Sequence, residues 1–157
     1  MRFWRSPIVA VGFVAGALLA GMSAVEAHKG AKGIVMERMM SMKSMGDGMK
    51  SLAAMVTGKA PYDAAKARSI ASEIKKHASG IEKQFPKGSI KGPSEALPAI
   101  WTDWPGFTSQ ADELTKLADQ LGGSADSGKA AALGLFAKMG KTCSGCHQDY
   151  RKKKKKK

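Results

Sequence analysis

Four stretches of the chain repeat apolar residues at steps of three and four, which is the spacing of one face of an α-helix. They run over about Lys32 to Thr57, 62 to 85, from just after Asp103 and Pro105 to Gly122-Gly123, and Ser127 to Arg151. No stretch is apolar on all sides, so each helix needs partners, and short links join the first two and the last two. The pattern therefore predicts an all-α fold, an antiparallel four-helix bundle.

The middle of the chain breaks this periodicity. Between Pro86 and Asp103 several glycines and prolines interrupt it, which predicts a long connection that wraps the bundle with little regular structure. We expect Trp101 to pin this connection to the core. The chain has 157 residues, 43% of them hydrophobic and only 6% aromatic, which suits one helical domain and argues against a β-sandwich or barrel.

The N-terminus has the pattern of an export signal. Arg2 and Arg5 precede an uncharged apolar stretch, and Val25-Glu26-Ala27 places small residues where a signal peptidase cuts. We predict a secretory signal peptide over residues 1–27, cleaved near Ala27, with an uncleaved membrane anchor as the competing interpretation. The remaining domain organisation is a bundle over 28–151 and a poly-Lys tail over 152–157. No second apolar span follows, so no stable membrane span is expected after cleavage.

The formal net charge of +13 is concentrated at one end, because seven bases lie between Arg151 and Lys157. The body is only mildly basic, and it lacks the basic face with interleaved aromatics that is typical of nucleic-acid binding. We therefore expect no nucleic-acid partner. The tail is either a solvated end or a group of charges that attracts an acidic redox partner or an anionic membrane.

The most informative string is Cys143-Ser144-Gly145-Cys146-His147, because Cys-x-x-Cys-His is the attachment signature of c-type haem. On a helix, residues three and four apart share a face, so both thiols can reach the vinyl groups of a porphyrin while the neighbouring imidazole reaches the iron. This predicts one covalent haem c near the C-terminus, with Cys143 and Cys146 as attachment residues and His147 as the proximal iron ligand.

Two rival interpretations of the cysteines are weaker. A thioredoxin-like redox pair normally accompanies a βαβ pattern, and no strand is evident. A zinc site needs four ligands and would have to recruit His28 or His77 from distant positions.

The C-terminal string from Cys143 to Arg151, Cys-x-x-Cys-His-x-x-Tyr-Arg, resembles the end of the class II c-type cytochromes, the cytochrome c′ family. The first helix, the turn at 58–63 and Ile100-Trp101 also resemble the corresponding segments of that family. The resemblance implies a four-helix bundle with haem attached near the C-terminus, and the export signal indicates that the protein lies in the periplasm. It also implies redox partner proteins and is compatible with a homodimer.

The resemblance also implies roles for two residues of the first helix. The distal residue lies four positions before Gly46, at Met42, and a methionine there implies six-coordinate, low-spin iron that carries single electrons. An arginine at Arg38 pairs with a haem propionate in the family; a solvated surface arginine is the alternative. An apolar distal residue would instead leave five-coordinate iron that binds nitric oxide or carbon monoxide, which is the alternative function. We predict no enzymatic turnover.

Spacing alone does not select Met42. Met39, Met45 and Met49 lie on the same apolar stripe, and methionine is common core filler. The methionine cluster also raises a copper hypothesis, since thioethers are soft ligands for Cu(I). Helical spacing already explains the stripe, and we expect the remaining methionines, at 36, 40 and 55, to face solvent or a partner, which argues against a dedicated copper site.

Overall fold

A computed structural model describes residues 30–153 of the chain. Its helices are α1 (Gly33–Val56), α2 (Ala64–Ser79), the four-residue α3 (Ala99–Thr102), α4 (Trp104–Gly123) and α5 (Lys129–Tyr150). The links over 57–63 and 124–128 are too short to return the chain to its starting end, so each link joins an antiparallel pair. The α1–α2 and α4–α5 pairs pack against each other through α2–α4 and α1–α5 contacts. The predicted four-helix bundle is confirmed.

The core draws on all four long helices. Leu52 of α1, Ile74 of α2, Leu121 of α4 and Met139 of α5 are each at most 1% exposed. Burying one such side chain contributes about 1.5–3 kcal/mol. The apolar stripes read from the sequence therefore meet along the bundle axis.

The second helix is shorter than its apolar periodicity indicates. Helix α2 ends at Ser79, Gly80 caps it, and a single 3₁₀ turn follows over Glu82–Gln84. Ile81 and Phe85 are nevertheless buried. The tighter turn keeps both apolar side chains on the core side, so a periodic pattern alone does not separate it from a continuing α-helix.

The long connection contains one element that the sequence pattern does not predict, the short helix α3. The Trp101 indole N–H donates a hydrogen bond to the Phe85 carbonyl at 3.0 Å, and the ring packs against the core. This confirms that Trp101 pins the connection. Phe85 begins the connection and Trp101 lies near its end, so the hydrogen bond draws its two ends together.

The described part of the chain contains no helix both long enough and apolar enough to cross a bilayer. Residues 1–29 and 154–157 lie outside it, and so does the predicted signal peptide over 1–27.

Candidate functional site

The Cys-x-x-Cys-His string lies in the last two turns of α5. Cys143 and Cys146 are free thiols, each half-buried against the core. Residues three and four apart share a helix face, so His147 lies beside both cysteines. Cys146 and His147 line a cavity.

The cavity has a volume of about 590 Å³, within the range of about 300–1,000 Å³ typical of ligand pockets. Its walls come from α1, the connection, the start of α4 and the end of α5. Apolar side chains form much of the lining, among them Val35, Phe85, Ile100 and Phe107. Cationic side chains also face it, namely Arg38, Lys43, Lys50 and Arg151, together with the single carboxylate of Glu95.

Both thiols are held in the neutral form. Burial raises the pKa of the Cys143 thiol, and burial together with the nearby Cys143 and Asp149 raises the pKa of Cys146 to about 11. Redox-active Cys-x-x-Cys pairs depend on a lowered thiol pKa. The environment of these cysteines therefore disfavours the thioredoxin-like interpretation.

The imidazole of His147 is also held neutral. Although the side chain is exposed, partial desolvation by the surrounding protein lowers its pKa first, the positive charge of Arg151 lowers it further, and Glu95 acts in the opposite direction. A neutral imidazole keeps a lone pair for a metal ion. His147 is therefore in the protonation state that an iron ligand requires.

The methionines of α1 divide into two groups. Met39 and Met42 line the cavity that His147 lines. Met45 is buried in the core, and Met49 packs against the core outside the cavity lining. The four positions that spacing leaves equivalent are thus reduced to two that share the cavity. The expectation that Met55 faces solvent or a partner is wrong, because Met55 is only 2% exposed and belongs to the core.

Arg38 lies on the cavity wall and is buried, which rules out the solvated surface arginine. Its guanidinium donates to the Gln84 carbonyl at 2.6 Å, to Ser89 Oγ at 2.8 Å and to Ser94 Oγ at 3.2 Å. It also lies over the Phe85 ring, 3.8 Å from the centroid. Burial lowers the pKa of Arg38, although a guanidinium keeps its charge in proteins. These contacts fasten the connection to α1.

Within residues 30–153, the partners of Arg38 are all neutral acceptors. A buried cation gains most from an opposite charge. The guanidinium therefore favours an anionic group in the adjoining cavity, which a haem propionate would supply.

Tyr150 closes the cavity at the start of α4. Its hydroxyl donates to Asp103 Oδ2 at 2.6 Å, and its ring packs edge-on against Phe107. This hydrogen bond, with burial, raises the pKa of Tyr150 to about 12. A Cβ at Gly106 would lie only 2.7 Å from the Tyr150 hydroxyl, so this close approach requires glycine.

A short antiparallel contact ties the end of α5 to the connection. The Leu97 N–H donates to the Tyr150 carbonyl at 2.9 Å, and the Lys152 N–H donates to the Glu95 carbonyl at 2.8 Å. The Arg151 guanidinium pairs with the Glu95 carboxylate. Arg151 therefore holds the cavity wall formed by the connection.

Sequence reasoning did not assign Glu95, Phe85, Phe107 or Tyr150 to the site. Tyr150 and Arg151 stand in the motif that carries the family resemblance, so a signal was present for them. Glu95 lies within the connection, which has no periodicity, and Phe85 lies directly before it, so only the fold brings both residues to the cavity.

An antiparallel helical bundle in which a Cys-x-x-Cys-His string faces an apolar cavity defines a bundle-type c-type cytochrome. The sequence matches the cytochrome c′ family over residues 33–151. The cytochrome c-556 of Agrobacterium tumefaciens (strain II Chrys) is 38% identical over 122 residues, covering 78% of this chain and 99% of that protein. The chain therefore belongs to the cytochrome c′ family, whose cofactor is a covalently attached haem c.

Solved structures agree with this assignment. The cytochrome c prime of Shewanella frigidimarina superposes with a TM-score of 0.71 at 30% identity, covering 76% of this chain and 94% of that chain. A nitric oxide complex of a variant cytochrome c prime from Alcaligenes xylosoxidans has a TM-score of 0.70 at 28% identity, covering 77% and 94%. The chain thus has the fold of this family over most of its length.

The residues around the cavity fit a haem c. Two neutral thiols and a neutral imidazole lie on one helix face, thioethers of α1 line the same cavity, and a buried guanidinium adjoins it. Two thiols for covalent attachment and an imidazole for the iron are the groups that a c-type haem requires.

Proposed function

We propose that this protein is an exported mono-haem c-type cytochrome that carries single electrons between redox partner proteins, with His147 as the proximal and Met42 as the distal ligand. The observation that carries this proposal is that Met42 and His147, from different helices, line one cavity. A methionine sulfur opposite an imidazole is the ligand pair of electron-carrying cytochromes c and raises the reduction potential.

The chain's own residues each have a task in this function. Cys143 and Cys146 would hold the haem covalently, Arg38 would pair with a propionate, and the apolar walls would exclude water. The bound haem supplies a one-electron iron couple. Because α1 and α5 are fixed by the bundle core, Met42 and His147 keep their positions in both oxidation states, so little rearrangement opposes electron transfer.

The absorption spectrum of the purified holoprotein in both oxidation states tests the ligand pair. We expect a low-spin spectrum with a methionine charge-transfer band in the ferric state and no immediate carbon monoxide binding. Met42→Ala should give a high-spin spectrum and rapid carbon monoxide binding. Met49→Ala is the matched control, because Met49 lies on the same helix outside the cavity lining, and it should stay low-spin.

A Met42→Ala protein that remains low-spin would contradict the assignment of Met42, and Met39→Ala would then test the other methionine of the cavity. Met45 would follow only if both fail, since it lies outside the cavity lining. Colourless protein of unmodified mass from a host that matures c-type cytochromes would contradict haem attachment at Cys143 and Cys146.

The second candidate function is capture of nitric oxide or carbon monoxide by five-coordinate iron. The observation in its favour is the similar structure of a nitric oxide complex from Alcaligenes xylosoxidans. A high-spin spectrum of the unmodified holoprotein, with immediate carbon monoxide binding, would select this function instead of electron transfer.

The domain organisation and location belong to the same proposal. Proteins of the family are periplasmic and work with partner proteins, and homodimers are known among them. We propose a signal peptide over 1–27, a bundle over 28–151, a tail over 152–157 and no enzymatic turnover. The mass of the exported holoprotein gives the cleavage site and the haem count in one measurement.

A further inference from the structure

Positive charge surrounds the mouth of the cavity. Lys43 and Lys50 line it from α1 with side chains that are 52% and 81% exposed. Lys152 and Lys153 follow the end of α5 and are exposed. These four lysines, on two sides of the opening, are called the basic rim below.

The C-terminal part of the basic rim is fixed to the cavity wall. The Lys152 N–H donates to the Glu95 carbonyl at 2.8 Å, and its ammonium donates to the Ser94 carbonyl at 3.1 Å. Ser94 and Glu95 both line the cavity. The run of lysines that continues to Lys157 in the sequence therefore starts at the opening.

The carboxylates beside the basic rim do not neutralise it. Asp47 contacts both Lys43 and Lys50, so one negative charge compensates only one of two positive charges. Glu95 is paired with Arg151. Lys152 and Lys153 have no acidic partner among residues 30–153. The opening thus carries excess positive charge.

Helix α4 carries the opposite charge. Its exposed residues include Asp112, Glu113 and Asp119, with Lys116 as the single base in the helix, and Asp119 is paired with Lys75 of α2. Asp112 and Glu113 therefore disfavour the approach of a negatively charged partner to α4, while the opening attracts it. Such a separation of charge orients an approaching protein as well as speeding its arrival.

We propose that the basic rim is the docking surface for a redox partner protein with an acidic face. This rests on the proposed function as an electron carrier, because Cys146, His147 and Met42 place the haem in the cavity that the basic rim surrounds. A partner bound there lies beside the opening through which the electron passes. A bilayer against the same surface would cover the opening, which favours a protein as the occupant.

The test measures binding of the holoprotein to a plant-type ferredoxin, a small acidic one-electron carrier, as the probe. One variant, the rim variant, removes three exposed charges of the basic rim by Lys43→Gln, Lys50→Gln and Lys153→Gln. The matched control removes three charges at the opposite end of the bundle by Lys59→Gln, Lys66→Gln and Lys129→Gln. Both variants have the same net charge, so only the position of the charge differs.

We expect the rim variant to raise the Kd for ferredoxin about tenfold at low salt, and the control variant to raise it by less than about twofold. Both differences should disappear at high salt, where the charges are screened. Equal weakening in the two variants, or no weakening in either, would overturn the proposal. The proposal would also be overturned if the rim variant lost binding to vesicles containing phosphatidylglycerol while its ferredoxin binding stayed unchanged, since that result identifies a membrane surface.

This measurement is independent of the iron ligands, because Kd reports docking and not spin state. A failed docking test leaves the Met42 assignment intact. A high-spin spectrum, in turn, contradicts the proposed electron carrier without changing the Kd comparison.

Discussion

The two ends of the bundle are built in different ways. At the end that carries the 57–63 and 124–128 links, the chain turns tightly, and Tyr62 donates to the Ala125 carbonyl at 2.8 Å. At the cavity end a connection spans the helices, and long polar side chains hold it: Arg38 from α1 and Arg151 after α5. The end with the short links, called the packed end below, is filled by apolar side chains. At the cavity end, hydrogen bonds hold the connection in place around the cavity.

This difference follows from what each end encloses. A fully packed end gains stability from every buried methylene, but it leaves no space for a ligand. The wall of a cavity has no side chains packed against its inner surface. Directional hydrogen bonds from Arg38 and Tyr150 can hold such a wall in position instead. The cavity end therefore depends on a small number of polar contacts.

The largest expected effect is on the packed end. Leu121→Ala should lower the free energy of unfolding of the holoprotein by about 3 kcal/mol, because Leu121 is fully buried and its truncation leaves a cavity. Urea denaturation measures the change, and the visible spectrum should stay the same. Leu133→Ala is the control: Leu133 is 46% exposed, and its loss should cost less than about 0.5 kcal/mol. A spectral change in Leu121→Ala would show that the two ends are not independent.

Arg38→Leu should have the next largest effect, about 2 kcal/mol, because it leaves the Gln84 and Ser89 carbonyls without their donor. Unlike Leu121→Ala, it should also alter the haem spectrum, since Arg38 lines the cavity. Arg68→Leu at the opposite end is the control. Arg68 is 49% exposed in its pair with Asp126, so its loss should cost less than about 0.5 kcal/mol. If both substitutions lowered the free energy of unfolding equally, the claim that polar contacts stabilise the cavity end more than the packed end would be wrong.

The packed end could be predicted almost completely from the sequence. The stripes containing Leu52, Ile74 and Leu121 define which faces meet, and the helix bounds differ from the prediction by only one or two residues for α1 and α5. Periodicity is a local signal, and it is strong wherever a helix faces a continuous core.

The cavity end could be predicted only in part. The Cys-x-x-Cys-His string is a local motif and was found, but Met42 was separated from its neighbours only by resemblance, because Met39 and Met45 have equivalent spacing. The partners of Arg38 lie 46 to 56 residues away along the chain, in a connection without periodicity. Contacts of this kind depend on tertiary structure and leave no pattern in the sequence.

The smallest expected effect on stability comes from two tyrosine hydroxyls, one at each end of the bundle. Tyr150 donates to a carboxylate at the cavity end, and Tyr62 donates to a backbone carbonyl at the packed end. Hydrogen bonds to charged groups are the stronger class. We expect Tyr150→Phe to cost about 1.5 kcal/mol in urea denaturation and Tyr62→Phe about 1 kcal/mol or less. If Tyr62→Phe lowered the free energy of unfolding by more than Tyr150→Phe, the hydrogen bond to Asp103 would not be the stronger of the two.

The pH dependence gives a second measurement on the same variant. The hydrogen bond to Asp103 raises the pKa of Tyr150 to about 12 in the folded protein, above the value of about 10 for a free tyrosine. Because the folded-state pKa is the higher one, the stability from this hydroxyl is complete below about pH 10 and is lost as the pH rises towards 12. The difference in unfolding free energy between the unmodified protein and Tyr150→Phe should therefore shrink across this range. A difference that stays constant to pH 12 would show that the Asp103 contact does not hold the proton on Tyr150.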